Sequence, residues 1–506
     1  MADSTTGKQW FGHPRGLATL FFTEMWERFS YYGMRALLFL FMTAPVVVVG
    51  NSGLGLDDRT AGAIYGLYTS GVYALNLVGG WIADRLIGQR AAVFLGGILI
   101  AAGNFVLVLR GMTPFYTGLL LIVFGTSLLK PNVSTIVGDL YPEGGSRRDA
   151  GFSVFYMGIN VGAMLGPFIC SPLGENVNWH YGFLAAGIGM VIGLIQYAIT
   201  GKYLGEAGKF NHGPEGEAGR RRDLRRFFVG VAVVLAIVAG VGLLVHNGVI
   251  ELTSQTIGRA TGIGILGVVL VYFAYLFVAG GLSTEEKKGV GVIFLLFLSA
   301  AIFWAGFEQA GSSLNAFADR QTDRLLFGWE MPAGLLQSVN SIFIILLAPV
   351  FAIFWQALGR RHKNPSMGTK FSWGLIWLGG GFLVMVLATM RTHDGAVKVL
   401  PTWLVLVYFF HTLGELCLSP VGLSSITKLA PRRLGGQMMG IWFMAAALGN
   451  LIAGLLGGEI AEKPTPGDYG FVAAVPIITG ILLPIFFAGK WAKQAMARAE
   501  GGHPQD

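Results

Sequence analysis

Glu24, Glu27 and Arg28 lie in the middle of an apolar run, Leu17–Phe41, that is long enough to cross a membrane. An ionised side chain at bilayer depth costs at least about 2.5–3.5 kcal/mol, so residues of this kind inside a span belong to ion, proton or substrate pathways. At about 100° per residue, Glu24, Glu27, Arg28, Tyr31 and Arg35 fall within one stripe roughly 100° wide, with Phe and Leu on the opposite side. The spacing describes a polar seam facing a protein-lined cavity.

Further groups of this chemistry recur along the chain. Lys130, in Leu128-Leu-Lys-Pro131-Asn132, sits within an apolar span and needs a carboxylate partner or an anionic ligand, and Pro131 permits a bend beside it. Asn160, in Phe155-Tyr-Met-Gly158-Ile-Asn-Val-Gly162, can hydrogen-bond a ligand or serve equally as glue between helices. Glu308, in Phe303-Trp304-Ala-Gly-Phe307-Glu308-Gln309, is a lone carboxylate in a medium that penalises the charged form, which makes it a candidate proton carrier. Ser338, Asn340 and Ser341 follow in the next span, and Glu415 and Ser419 share a face four residues apart. Trp442 and Asn450 lie in a later span. His411 could relay protons, but a structural role is preferred for it. The amino half thus supplies Arg35 and Lys130, and the carboxyl half Glu308 and Glu415. A cavity with one positive and one negative wall suits a zwitterion. Its carboxylate would go to Arg35 and Lys130 and its ammonium to Glu415, with Glu308 a further acceptor and Tyr31, Tyr32, Tyr73 and Trp442 lining the apolar space.

The elements that must hold these residues are membrane helices. The chain has 506 residues, 53% hydrophobic and 13% charged, with a mean hydropathy of +0.61. A soluble domain has about 25% charged residues. Glycine, at 75 residues, lets such helices approach closely. The net charge of +8 does not indicate nucleic-acid binding, because the Lys and Arg lie in short loops between apolar spans. Cys170 and Cys417 are both in apolar spans and suggest neither a disulfide framework nor a metal site, and no cofactor is expected. Met1–Gly16 has no signal-peptide shape, so the first span is expected to remain as an anchor. Apolar stretches at 17–43, 60–83, 91–109, 115–137, 151–172, 181–203, 225–246, 260–281, 290–315, 333–358, 371–390, 400–427, 437–460 and 470–490 give fourteen expected spans. Arg85, Arg90, Arg147, Arg148, Arg220–Arg226, Arg360–Lys363, Lys490 and Lys493 all fall on one side of that arrangement, which places both termini in the cytoplasm. The layout reads as an all-α integral membrane protein. Residues 1–203 form an amino-terminal six-helix bundle, 204–289 a cytoplasmic linker with an inserted hairpin of two spans, and 290–506 a carboxyl-terminal six-helix bundle with a cytoplasmic tail. Paired halves around a midplane site are a common transporter plan.

Gly79-Gly80-Trp-Ile-Ala-Asp84-Arg85-Leu-Ile-Gly88-Gln-Arg90 resembles the loop signature of the major facilitator superfamily. Asp84 can bond to the N-terminal end of a nearby helix. Glu24-Met-Trp-Glu27-Arg28-Phe-Ser-Tyr31-Tyr32-Gly33 is similar to the ExxERFxYYG signature of the proton-dependent oligopeptide transporter (POT/PTR) family within that superfamily, in its bacterial form. Phe155–Gly162, Leu129–Asn132, Trp304…Glu308-Gln309 and Gly414-Glu415…Ser419-Pro420 match the same family in order, and the extra spans at 225–281 resemble its inserted hairpin.

The resemblance implies a major facilitator fold in a bacterial inner membrane. It implies proton-coupled import of di- and tripeptides by alternating access, by a chain that functions as a monomer. It assigns proton coupling to Glu24, Glu27, Arg28 and Lys130, with Glu308 a second proton-linked carboxylate. Lys130 with Glu415 would close the cytoplasmic side and Arg35 with Glu308 the outer side, in alternate states. Asn160 and Asn340 would hold the peptide backbone or termini. Many bacterial relatives have a second acidic residue just before Glu308, where this chain has Phe307. The alternative is a symporter of the same fold for nitrate, a glucoside or an amino acid. An enzyme is disfavoured by the lack of a nucleophile–base pair or metal-ligand cluster, and a channel by the lack of a pore-loop repeat.

Overall fold

The computed structural model describes residues 9–210, 216–363 and 365–499. The first residues of the polar N-terminus, 1–8, part of the expected linker, 211–215, and the end of the expected tail, 500–506, lie outside the described residues.

The chain is built from helices: α1 (Arg15–Thr43), α2 (Asp58–Ala74), α3 (Asn76–Ile82), α4 (Gln89–Leu107), α5 (Met112–Asp139), α6 (Gly145–Asn176) and α7 (Trp179–Thr200). After the linker come α8 (Gly216–His246) and α9 (Ser254–Val278). The remainder comprises α10 (Thr284–Phe307), α11 (Ser313–Arg320), α12 (Ser338–Arg360), α13 (Met367–Arg391), α14 (Thr402–Leu429), α15 (Gly435–Glu462), α16 (Pro466–Phe487) and α17 (Lys490–Ala499). A small antiparallel hairpin, β1 (Leu325–Leu326) with β2 (Trp329–Glu330), sits between α11 and α12. Among the described residues, 12 helical stretches are long and apolar enough to cross a membrane, and they coincide with the expected spans from 91 onward. The other two expected spans correspond to α1, which is long enough but carries the charged stripe, and to α2 with α3, which separate at Leu75. The fold is all-α and membrane-spanning.

Local sequence explains several boundaries. Asp57 caps α2 by accepting from the Thr60 amide at 2.8 Å and its hydroxyl at 2.7 Å. Burial alone would raise the Asp57 carboxyl, but the Thr60 hydrogen bonds outweigh it and hold it below its ordinary range. Ser283 with Glu286, and Thr465 with Asp468, form reciprocal caps that start α10 and α16. The turn Ala83–Ile87 after α3 winds as a single π-helical turn and ends at Gly88, whose φ of 84° a residue with a side chain rarely adopts. Here Asp84 accepts from the side chain of Gln89, the first residue of α4, at 3.3 Å, and Arg90 donates to the carbonyls of Ala207 and Gly205, both at 2.7 Å.

Contacts divide the chain into two compact units. The first comprises Met1–Tyr31, Leu75–Gly162 and Phe183–Ile257. Its core joins Leu17 and Leu20 of α1 to Val93 and Ile100 of α4, Leu129 and Ile136 of α5, and Met190 of α7. The second comprises Tyr32–Ala74, Ala163–Gly182 and Gly258–Asp506. Within it α13 packs on α14 and α16, α10 packs on α15, and α2 runs along α15.

The α2–α15 contact is made by glycines. Gly62 and Gly66 on α2 face Gly454 and Gly458 on α15, each pair four residues apart and so on one helical face. A Cβ on Gly454 would lie 2.3 Å from the Gly66 Cα, and one on Gly62 would lie 2.4 Å from the Gly454 carbonyl oxygen. Only backbones without side chains come this close.

Candidate functional site

In the first unit the stripe on α1 forms an ion-paired cluster. Arg28 Nε lies 3.0 Å from Glu24 Oε1 and 2.5 Å from Glu27 Oε2, and all three side chains are almost wholly buried. Arg28 also lies over the Tyr31 ring, 5.3 Å from its centroid. Lys130, half-buried on α5, acts electrostatically on Glu24. One guanidinium facing two carboxylates, with a lysine bearing on one of them, is a balance that a single proton upsets.

The second helix of this cluster is α6, and its glycines set the distance. A Cβ on Gly162 would lie 2.1 Å from the Met25 carbonyl oxygen and 2.9 Å from the Arg28 Cβ. A Cβ on Gly158, one turn earlier, would meet the Phe21 ring at 2.9 Å. The α6 backbone therefore lies directly on α1 beside Arg28. Asn160, between them, is buried and donates to the Tyr156 carbonyl at 2.9 Å.

In the second unit Arg35 Nη1 contacts Glu308 Oε2 at 2.8 Å, and both side chains are buried. Arg35 also lies over the Tyr32 ring, 5.3 Å from its centroid. Glu308 begins a 3-10 turn, Glu308–Gly311, that interrupts the helix after α10, so its carboxylate sits at a break rather than on a continuous helix. Tyr65 of α2 is fully buried against this turn, where a Cβ on Gly311 would lie 2.0 Å from its hydroxyl, and it interacts electrostatically with both Arg35 and Glu308. Glu415 accepts from Asn340 Nδ2 at 3.2 Å, and the same amide nitrogen donates to Thr412 Oγ1 at 3.0 Å. Ser419 Oγ is buried without a hydrogen-bond partner among the described residues. Trp442 is buried with its ring against Gly422, where a Cβ would lie 2.2 Å from it. Tyr73 is half-buried near the end of α2.

More links in this unit join helices from the amino half of the sequence to helices from the carboxyl half. Glu175 of α6 accepts from the backbone amides of Ala333 at 2.6 Å and Gly334 at 2.9 Å, with Arg324 at 4.0 Å. Arg320 makes a two-pronged pair with Asp58 at the start of α2, both contacts at 2.7 Å. Asn315 Nδ2 donates to the Ala36 carbonyl at 2.9 Å. With Arg35–Glu308 and the glycine seam, these contacts hold the two halves together at one end of α1, α2 and α15.

Comparison with known proteins decides the family. The sequence matches the POT family over residues 90–472. The chain belongs to the POT family. It is 42% identical over 463 residues to a peptide transporter of Yersinia enterocolitica, covering 90% of this chain and 89% of the other. It is 38% identical over 492 residues to a di-/tripeptide transporter of Lactococcus lactis, covering 95% and 96%. Its fold superposes on the crystal structure of a peptide transporter POT in complex with sulfate with a TM-score of 0.87 at 40% identity, covering 97% of each chain.

POT proteins are transporters and not enzymes. The residues singled out in the sequence divide between the two units. Glu24, Glu27, Arg28, Tyr31, Lys130 and Asn160 belong to the first unit, where Arg28 gathers the two glutamates and Tyr31. Tyr32, Arg35, Tyr73, Glu308, Asn340, Glu415, Ser419 and Trp442 belong to the second, where Arg35–Glu308 and Asn340–Glu415 form. Tyr65, Glu175 and the four seam glycines were not singled out. The seam carried a signal: Gly62-Ala-Ile-Tyr-Gly66 and Gly454-Leu-Leu-Gly-Gly458 each have glycines at a four-residue spacing. Glu175 had none, because its partners are backbone amides.

Proposed function

We propose that this POT-family chain is a proton-coupled symporter that imports di- and tripeptides by alternating access. The observation that carries the proton part is the buried Glu24–Arg28–Glu27 cluster with Lys130 bearing on Glu24. Protonating one glutamate removes a partner of Arg28 and of Lys130 and frees positive charge for the peptide carboxylate. Arg35 and Lys130 receive that carboxylate, Glu415 the ammonium, and Asn160 and Asn340 the peptide backbone or termini. Tyr31, Tyr32, Tyr73, Ser419 and Trp442 contact the ligand. Glu308, held by Arg35 in this structure, is the second proton-linked carboxylate, released when the pair opens. Lys130 with Glu415 is the corresponding pair of the alternate state. Proton flow favours the inward-open state only through its differential affinity for the two states.

The peptide part is supported by the similarity to the peptide transporter of Yersinia and the di-/tripeptide transporter of Lactococcus. The proposed setting is a bacterial inner membrane, with both termini cytoplasmic, and the proposed plan is two six-helix bundles, 1–203 and 290–506, with an inserted hairpin in 204–289. The test is uptake into proteoliposomes that enclose a pH-sensitive dye. Dialanine is expected to enter and acidify the lumen together, and an inward proton gradient to concentrate it. Dialanine entry without acidification would remove the proton coupling. Acidification driven by nitrate, a glucoside or a single amino acid, and not by dialanine, would transfer the assignment to that solute.

A further inference from the structure

We propose that the foot of α8 is a docking surface for anionic phospholipid headgroups. The sequence there is Arg220-Arg-Arg-Asp223-Leu-Arg225-Arg226, five arginines around one aspartate. All five arginines are exposed, whereas Asp223 is buried. Asp223 draws in Arg226 at 3.3 Å, Arg85 at 3.7 Å and Arg222 at 3.8 Å. It therefore pins the foot of α8 to the π-helical turn Ala83–Ile87 and fixes where the guanidinium groups stand. By sequence, residues 215–226 carry five arginines against Glu215, Glu217 and Asp223, so the segment keeps a net positive charge.

The apolar part of α8 says what lies beside it. Its most apolar window contains no buried residue, so its flanks meet lipid chains along the length of the span. From Phe227 to Val245 the helix rises about 28 Å, close to the ~30 Å hydrocarbon thickness of a bilayer. The arginine cluster immediately precedes that stretch and so stands at the depth of headgroup phosphates. Phe227 and Phe228, ring centroids 5.5 Å apart, open the apolar stretch directly after the arginines. The cluster is built of arginine alone, and the planar guanidinium binds phosphate oxygens in pairs where an ammonium binds as a point charge. Four to eight basic residues next to a membrane helix are a pattern for anionic lipid.

The test is native mass spectrometry of the full chain in detergent, titrated with phosphatidylglycerol, phosphatidylcholine or inorganic phosphate. Phosphatidylglycerol adducts are expected to outnumber those of phosphatidylcholine and to weaken with added salt. The variant Arg220→Gln/Arg221→Gln/Arg225→Gln, which leaves the Asp223 contacts in place, is expected to weaken phosphatidylglycerol binding on the order of a hundredfold, from about 1 kcal/mol per cation. Lysine at the same three positions is expected to restore only part of it. Equal binding of phosphatidylcholine, or of phosphatidylglycerol to wild type and to the glutamine variant, would overturn the proposal. So would displacement of phosphatidylglycerol by millimolar inorganic phosphate, which would mark a site for a soluble anion. Salt-insensitive binding by the wild-type chain would overturn it without any variant.

Discussion

Gly454→Ala should open the seam between α2 and α15. The new methyl would sit 2.3 Å from the Gly66 Cα, 2.4 Å from the Gly66 nitrogen and 2.5 Å from the Gly62 carbonyl oxygen. These are backbone atoms, so no rotamer change relieves the clash. Ordinary carbon contacts are about 3.5–4.0 Å, so the helices must part by roughly 1.2 Å or more. Overpacking of this kind costs about 1–3 kcal/mol. If the seam closes one end of the transporter in this state and not in its alternate, that cost falls on the closed state alone. The closed-to-open ratio then drops by about 5- to 150-fold. Spin labels on cysteines introduced at the exposed positions Val48 and Lys463 report the separation, and the buried Cys170 and Cys417 can stay in place. The expected result is growth of a longer-distance population. Gly267→Ala, where a Cβ meets nothing within 4 Å, is expected to leave the distribution alone. A lowered melting temperature with an unchanged distance distribution would refute the reasoning, because the seam would then be packing common to both states.

Three further substitutions address the charged groups. Lys130→Ala is expected to abolish uptake driven by a proton gradient, and a variant that concentrates dialanine like wild type would break the coupling scheme. Glu415→Ala is expected to weaken peptides with a free amino terminus more than N-blocked ones in competition assays, and equal losses would remove the ammonium assignment. Glu175→Ala strands the amides of Ala333 and Gly334 in a nearly dry site, and a loss of about 1–3 kcal/mol is expected. A melting temperature within a degree of wild type would show that water replaces the carboxylate.

The class of fold was readable because burial in lipid leaves a coarse mark: about 20 apolar residues per span, punctuated by loops rich in arginine. The cluster on α1 was readable for the related reason that charge at bilayer depth is rare. The close contact of α6 with α1 through Gly158 and Gly162 was not, although both glycines stood in the quoted motif, because periodicity does not say which neighbour a small residue admits. The break at Glu308 was likewise hidden. Its run reads as one apolar span from 290 to 315, and nothing in it announces that Tyr65 of a distant helix packs over Gly311 at the 3-10 turn. Asn340 was read as a ligand contact, and in this structure its amide is engaged by Glu415 and Thr412. Sequence indicates that a polar group must find a partner but not which one it finds in a given state.

The grip of Glu175 on Ala333 and Gly334 has a lopsided consequence for how this protein tolerates change. On one side the fastening is a single side chain; on the other it is main-chain amide, which every residue but proline supplies. A saturation library should therefore tolerate at 333 whatever small residue fits that fully buried site, and few residues at 175. Position 334 is narrow for a different reason: a Cβ there would crowd Ser171 Oγ at 2.5 Å and Glu175 Oε1 at 3.0 Å. Three adjoining positions of one fastening would thus drift under three separate rules, and a compensating change for a lost Glu175 should be sought on α6, where a replacement acceptor could arise, and not among the residues it holds.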